Sequence, residues 1–142
     1  MKKTAICLLV LLAGLFVSRS LFAQQNPPLY YMYATDHNLS YVSYAPNGGS
    51  VSGTLSLTSY CSWPVGSQPQ QSDYYISLPT ITSTGGITFE LVNTYGQWDD
   101  MYYVYQDATQ TYTVTLRTYF VQTGQPFAAE IVSGPVAEPV DE

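Results

Sequence analysis

Few side chains in this sequence are equipped for covalent or acid–base chemistry. His37 is the only histidine and directly follows Asp36, and Cys61 is the one cysteine outside the N-terminal apolar run that holds Cys7. A nucleophilic site needs its thiol or hydroxyl, its base and an orienting group to converge in space. Neighbours on an extended chain project to opposite faces, so Asp36 is badly placed to orient His37. Strand alternation turns Cys61 toward the apolar side. No catalytic residue is assigned.

Two further constellations have the right atoms. Glu90 and Glu130 could act as the carboxylate pair of a glycoside hydrolase, which needs a separation of roughly 5 to 9.5 Å. They meet only if their strands are neighbours, and outward strand carboxylates are the simpler account. Asp99 and Asp100, with Asp107 across a hairpin, offer hard oxygen ligands for calcium. They lack EF-hand spacing, and adjacent aspartates at a turn usually only solvate it. One histidine and one cysteine do not make a zinc site. No metal and no cofactor are expected.

The aromatic residues are the more suggestive set. Tyr30, Tyr31 and Tyr33, then Tyr74 and Tyr75, then Tyr102, Tyr103 and Tyr105 place rings on both faces of their segments. Only one face of each can be core. The remaining rings, with Trp63 and Trp98 in loops, make a candidate ligand-binding platform of Trp63, Trp98, Tyr102 and Tyr74. Such rings stack on sugars or serve protein contacts. The alternative is that a second sheet or a long loop covers them.

These residues must be positioned by a short chain with an unusual charge balance. Of 142 residues, Met1-Lys2-Lys3 gives a positive start, Thr4 to Val17 an apolar run of 14, and Ser18 to Ala23 a polar stretch ending in a small residue. This is the layout of a secretory signal covering 1–23, and the run is shorter than the roughly 20 residues that span a bilayer. Cleavage removes Lys2, Lys3 and Arg19 but none of the ten acids, so residues 24–142 carry 1 − 10 = −9 and no lysine. A lone Arg117 cannot track phosphates, which excludes nucleic acid, and anionic membrane surfaces are disfavoured. Cys61 has no intramolecular partner, so it is buried as a small hydrophobe or paired between chains.

No segment keeps helical periodicity over three turns. Short Tyr-, Thr-, Val- and Ser-rich runs separated by turn residues predict strands over 29–34, 39–45, 51–61, 74–78, 86–93, 101–106, 111–122 and 127–132. Asn47-Gly48 predicts a type I′ hairpin that pairs Tyr44 with Val51, Val42 with Gly53 and Ser40 with Leu55. Its apolar face gathers Val42, Tyr44, Val51, Leu55, Leu57 and Cys61. A four-residue loop over 107–110 predicts pairs Tyr105–Tyr112, Tyr103–Val114 and Met101–Leu116, with Arg117 outward. Residues 62–73, with two prolines and three glutamines, read as a surface loop, and 133–142 as a disordered acidic tail.

The expected architecture is therefore one all-β domain over 24–132, an antiparallel β-sandwich, Ig-like or jelly-roll-like, of about eight short strands. The expected function is an exported, non-catalytic protein acting through its surface, structural or adhesive, in the extracellular space, periplasm or cell surface. The alternatives are a carbohydrate-binding module using Tyr and Trp, and a small glycoside hydrolase on Glu90 and Glu130. Partners are a second copy, through strand edges lacking lysine or through Cys61, or an extracellular polysaccharide. Asn38-Leu39-Ser40 fits a glycosylation sequon, relevant only in a glycosylating host. The exported form should begin at Gln24. N-terminal sequencing of the recovered protein checks this, and an uncut N-terminus would replace secretion with a membrane anchor.

Overall fold

A computed structural model describes residues 28–132; the expected signal over 1–23 and the acidic tail over 133–142 lie outside them. Eight strands follow in order: β1 Tyr30–Tyr44, β2 Ser50–Pro64, β3 Tyr74–Ile76, β4 Thr80–Ser83, β5 Phe89–Gln97, β6 Asp100–Asp107, β7 Thr113–Tyr119 and β8 Ala128–Val132. Two short 3-10 turns, Gln71–Asp73 and Thr84–Gly86, are the only helical pieces among the described residues. None is long and apolar enough to cross a membrane.

The strands form two antiparallel sheets of four, the expected sandwich. In the first, β2 lies centrally, with β1 along one edge and β3 and β4 end to end along the other. The second runs β5-β6-β7-β8. The second sheet is a sequential meander and in the first β4 returns to β2 beyond β3, so neither makes the Greek-key crossing of immunoglobulin and jelly-roll chains.

The expected strands over 29–34 and 39–45 are one strand of 15 residues. The intervening Thr-Asp-His-Asn resembles a break, but Asp36, His37 and Asn38 each have a cross-strand partner. Thr58 donates its hydroxyl to Asp36 at 2.7 Å and Ser56 donates to Asn38 at 2.8 Å on the outer face. On the inner face the His37 ring lies 2.9 Å from the Ser59 hydroxyl. β2 likewise runs on to Pro64, shortening the expected loop, and β4 occupies Thr80–Ser83, where no strand was expected.

The first hairpin corrects the expected register by one residue: Ser43 pairs with Val51, Tyr41 with Gly53 and Leu39 with Leu55. Asn47 does not take the positive φ that a type I′ turn demands, whereas Gly48 does, at 89°. Gly48 donates its N–H to the Ala45 carbonyl at 3.0 Å, so Pro46, with its fixed φ, occupies the first corner of a type I turn. One residue of slip exchanges faces. Val42 and Tyr44, expected in the core, are exposed, while Tyr41 and Ser43 are buried. The expected inward row of β2, Val51, Leu55, Leu57 and Cys61, is buried.

The second hairpin slips by two, so Tyr105 pairs with Val114 and Tyr103 with Leu116. The cause is Asp107, which takes the Tyr112 N–H on its carboxylate at 2.8 Å and the Gln110 N–H on its carbonyl at 3.0 Å. That places the loop at 108–111. An even slip keeps every face, and Arg117 still points outward beside Tyr102.

Tyr41, Leu55, Leu57, Tyr105, Val114 and Leu116 form the main core, and Cys61, Tyr74 and Phe127 a second cluster. Two hydroxyls fasten the sheets. Ser43 donates to the Thr113 carbonyl at 2.9 Å and accepts its N–H at 3.0 Å, and Ser59 donates to the Phe127 carbonyl at 2.7 Å. Among the described residues no buried side-chain nitrogen or oxygen lacks a partner.

Gly53 sits where β4 comes closest. A Cβ there would lie 1.8 Å from the Thr82 carbonyl oxygen and 2.6 Å from the Tyr41 hydroxyl, which itself donates to Thr82. Gly53→Ala should therefore displace β4 and cost about 1–3 kcal/mol of unfolding free energy. Urea titration checks it, with the exposed Ser52→Ala as the unaffected control.

Candidate functional site

The second aromatic cluster continues outward into a cleft. Tyr74 opens β3 opposite Cys61, and its hydroxyl accepts the Gly124 N–H at 2.8 Å. Its ring centroid lies 5.6 Å from both Phe120 and Phe127. Trp98 stands at the turn joining β5 to β6, where Gln97 pairs with Asp100, 6.0 Å from Tyr74 and 5.6 Å from Phe120. The Phe120 N–H donates to the Asp99 carbonyl at 2.8 Å, tying that turn to the end of β7.

Between Trp98 and the 70–72 segment lies a cleft of about 590 Å³, within the usual range for small-ligand sites. Tyr74, Ile76, Met101 and Tyr103 line its interior, while Gln70, Gln71 and Ser72 edge it. Among the described residues no charged side chain lines it. The glutamine rim is held in shape by Asp73, whose carboxylate accepts the Gln70 N–H at 2.7 Å while the Asp73 N–H returns to the Gln70 carbonyl at 3.0 Å. Aromatic faces beside amide donors and acceptors suit a flat, hydroxylated ligand.

The four expected platform residues fall into three places. Trp98 and Tyr74 share the cleft, but Tyr74 is only 8% exposed and anchors it instead of presenting a platform ring. Trp63 lies beyond, stacked on Tyr33 at 5.7 Å and tilted against Tyr31 at 5.3 Å, over Gly124. With Tyr31 it lines a separate depression of about 480 Å³. Tyr102 is on the outer face of the second sheet, stacked on Tyr95. Tyr103 joins the cleft without having been singled out, although its pairing parity in the β6–β7 hairpin already turned it inward. Gln70, Gln71 and Ser72 left no signal beyond a loop composition.

The other candidates do not assemble. Asp100 and Asp107 close opposite ends of β6, about 23 Å apart at 3.3 Å per residue. Asp100 is already bonded by Arg117, from Nε at 2.8 Å and Nη2 at 2.9 Å. No trio of His, Cys, Asp and Glu gathers among the described residues. Glu90 and Glu130 lie on the two edge strands of the second sheet, three strand spacings apart and staggered by four residues, roughly 19 Å in all, and Glu130 is paired with Arg117 at 2.8 Å.

Ser59 and His37 touch, yet the arrangement activates nothing. The single Ser59 proton goes to Phe127, so the His37 Nε2 donates to the hydroxyl instead of accepting from it. Ser59 is also wholly buried. Burial pushes the Cys61 thiol up, keeping it protonated and poorly nucleophilic. Compared with known proteins, the chain matches no family model, no curated protein and no solved structure.

Two acids at opposite ends of β6 contribute to the pH response. The Arg117 guanidinium holds the Asp100 carboxyl below its ordinary range, and the Thr109 hydroxyl and the Tyr112 N–H do the same for Asp107. A carboxyl depressed in the native state contributes stability that is complete above its unfolded value of about 4 and lost as pH falls through the native one. Asp107→Asn should therefore be less stable than the parent at neutral pH. That gap should narrow in acid below about pH 4, as urea midpoints across the range will read.

Proposed function

We propose that this chain is an exported, non-catalytic β-sandwich that works by adhesion, holding a neutral glycan in the cleft beside Trp98. The observation that carries the reading is the lining: aromatic rings and primary amides with no charge among them. Sugar rings offer C–H faces to aromatic π-systems and hydroxyls to amides. A polyanionic glycan would need cations, and residues 24–142 contain only Arg117, already held by Asp100 and Glu130. The signal-like arrangement of residues 1–23 supports export.

Self-assembly is the second reading, favoured by one observation. β1 hydrogen-bonds only β2, and its 15 residues contain no proline, lysine or arginine, the usual guards of an outer edge. Light scattering against concentration separates the two readings, because a monomer that binds glycan excludes edge-built polymers.

The glycan test uses neutral polysaccharides and their oligomers with tryptophan fluorescence and calorimetry. Trp98→Ala should weaken binding at least about tenfold, the loss of roughly 1.4 kcal/mol of ring stacking. Trp98→Phe should retain part of it. Unchanged affinity in Trp98→Ala, with unaltered circular dichroism, would remove the cleft from the account.

A further inference from the structure

Tyrosine is the one abundant reactive side chain on this fold. Residues 24–142 contain all 14 tyrosines and no lysine, and the single cysteine there is buried. Disulfides and amine-derived crosslinks are therefore closed to the surface, while phenol chemistry is open. Two pairs of phenols are arranged for it. Tyr95 stands directly opposite Tyr102 across β5 and β6, with ring centroids 4.8 Å apart and planes within 2°. Tyr60 stands opposite Tyr75 across β2 and β3, at 4.9 Å and 15°. In each pair one ring is about half exposed, Tyr95 at 50% and Tyr75 at 45%.

We propose that these two stacked pairs, Tyr95–Tyr102 and Tyr60–Tyr75, are sites of oxidative phenol coupling, which staples the strands they bridge. The co-reactant is a peroxidase-class one-electron oxidant with hydrogen peroxide. Each phenol gives up one electron and its hydroxyl proton. The two phenoxyl radicals then join through ortho ring carbons, and the two ortho protons move to the oxygens, restoring two phenols. The pair loses two electrons and two protons, which reduce one hydrogen peroxide to two waters. Holding both radicals face to face makes the coupling effectively unimolecular, the largest advantage that positioning confers. Arg117 lies 5.8 Å from the Tyr102 ring centre and restrains that ring.

The placement also has a use. β5 is an edge strand exposed along most of its length, and β3 has only three residues on the other sheet's edge. Such elements open first in a native protein. A covalent bond at each fixes these two edge strands to the interior ones.

The test treats the full secreted protein, at low concentration, with a peroxidase and limiting hydrogen peroxide, followed by dityrosine fluorescence, intact mass and peptide mapping. The expected result is a monomer lighter by two hydrogens per bond, with the 95 and 102 peptides and the 60 and 75 peptides joined, and a raised thermal midpoint. Tyr95→Phe keeps the ring stack and should abolish the first bond alone; Tyr75→Phe should abolish the second alone. Tyr44→Phe, an exposed phenol in neither pair, should change neither. Crosslinks found only between chains would overturn the proposal, as would absence of dityrosine while free tyrosine in the same tube couples. An unchanged thermal midpoint in the coupled chain would overturn the stapling role.

Discussion

β2 is the strand on which the rest of the molecule is built. It pairs with β1 along all 15 of its residues and with β3 and β4 on its other edge. In its inward row Val51, Leu55, Leu57, Ser59 and Cys61 are all buried. Because a strand's side chains alternate, this one row commits the register of everything laid beside it. Gly53 lets β4 approach, Ser59 fastens the opposite sheet at Phe127, and Cys61 receives Tyr74, from which the aromatic cleft grows.

The same alternation explains what could be read from the sequence. In β2 the apolar residues Val51, Leu55, Leu57 and Cys61 share one parity, with Ser59 the one hydroxyl among them, so its buried row is legible. In β1 the segment Tyr41-Val42-Ser43-Tyr44 places a large side chain on each face, so hydropathy does not choose between them. The decision falls to Pro46 and to the hydroxyl of Ser43, which bonds Thr113 across the sandwich. A buried serine chosen over an exposed valine is a tertiary hydrogen bond outweighing local pattern. The β6–β7 hairpin slipped by an even number, so its faces survived an incorrect pairing. For the site, Trp98 was legible as a loop aromatic. The rim of Gln70 to Ser72 was not, because its role depends on a capping carboxylate and on a neighbour from the other sheet.

Charge is handled with equal economy. The guanidinium of Arg117 lies between Asp100 and Glu130 and near the faces of Tyr102 and Tyr119. That single cation organises the outer face of the second sheet. With one cation against ten acids, residues 24–142 keep a net negative charge whose mutual repulsion favours solubility. The cleft, in turn, is uncharged among the described residues of an acidic protein, a combination that disfavours cationic and anionic ligands for opposite reasons: no described carboxylate lines it to bind the first, and the surrounding field repels the second.

The unequal lengths of the two sheets have a dynamic consequence. The β1–β2 ribbon, 15 residues on each strand, is about 50 Å long, whereas the second sheet's strands of five to nine residues cover about 17 to 30 Å. At Leu29 to Tyr33 the ribbon leaves much of its side-chain surface exposed on both faces. Its backbone amides there are protected by one ladder and little packing, while those near Leu55 lie beneath a complete second layer. Deuterium uptake should therefore grade along a single continuous strand, fast at Tyr30 and slow at Tyr41. The molecule is rigid where the sheets overlap and compliant where the ribbon outruns its cover.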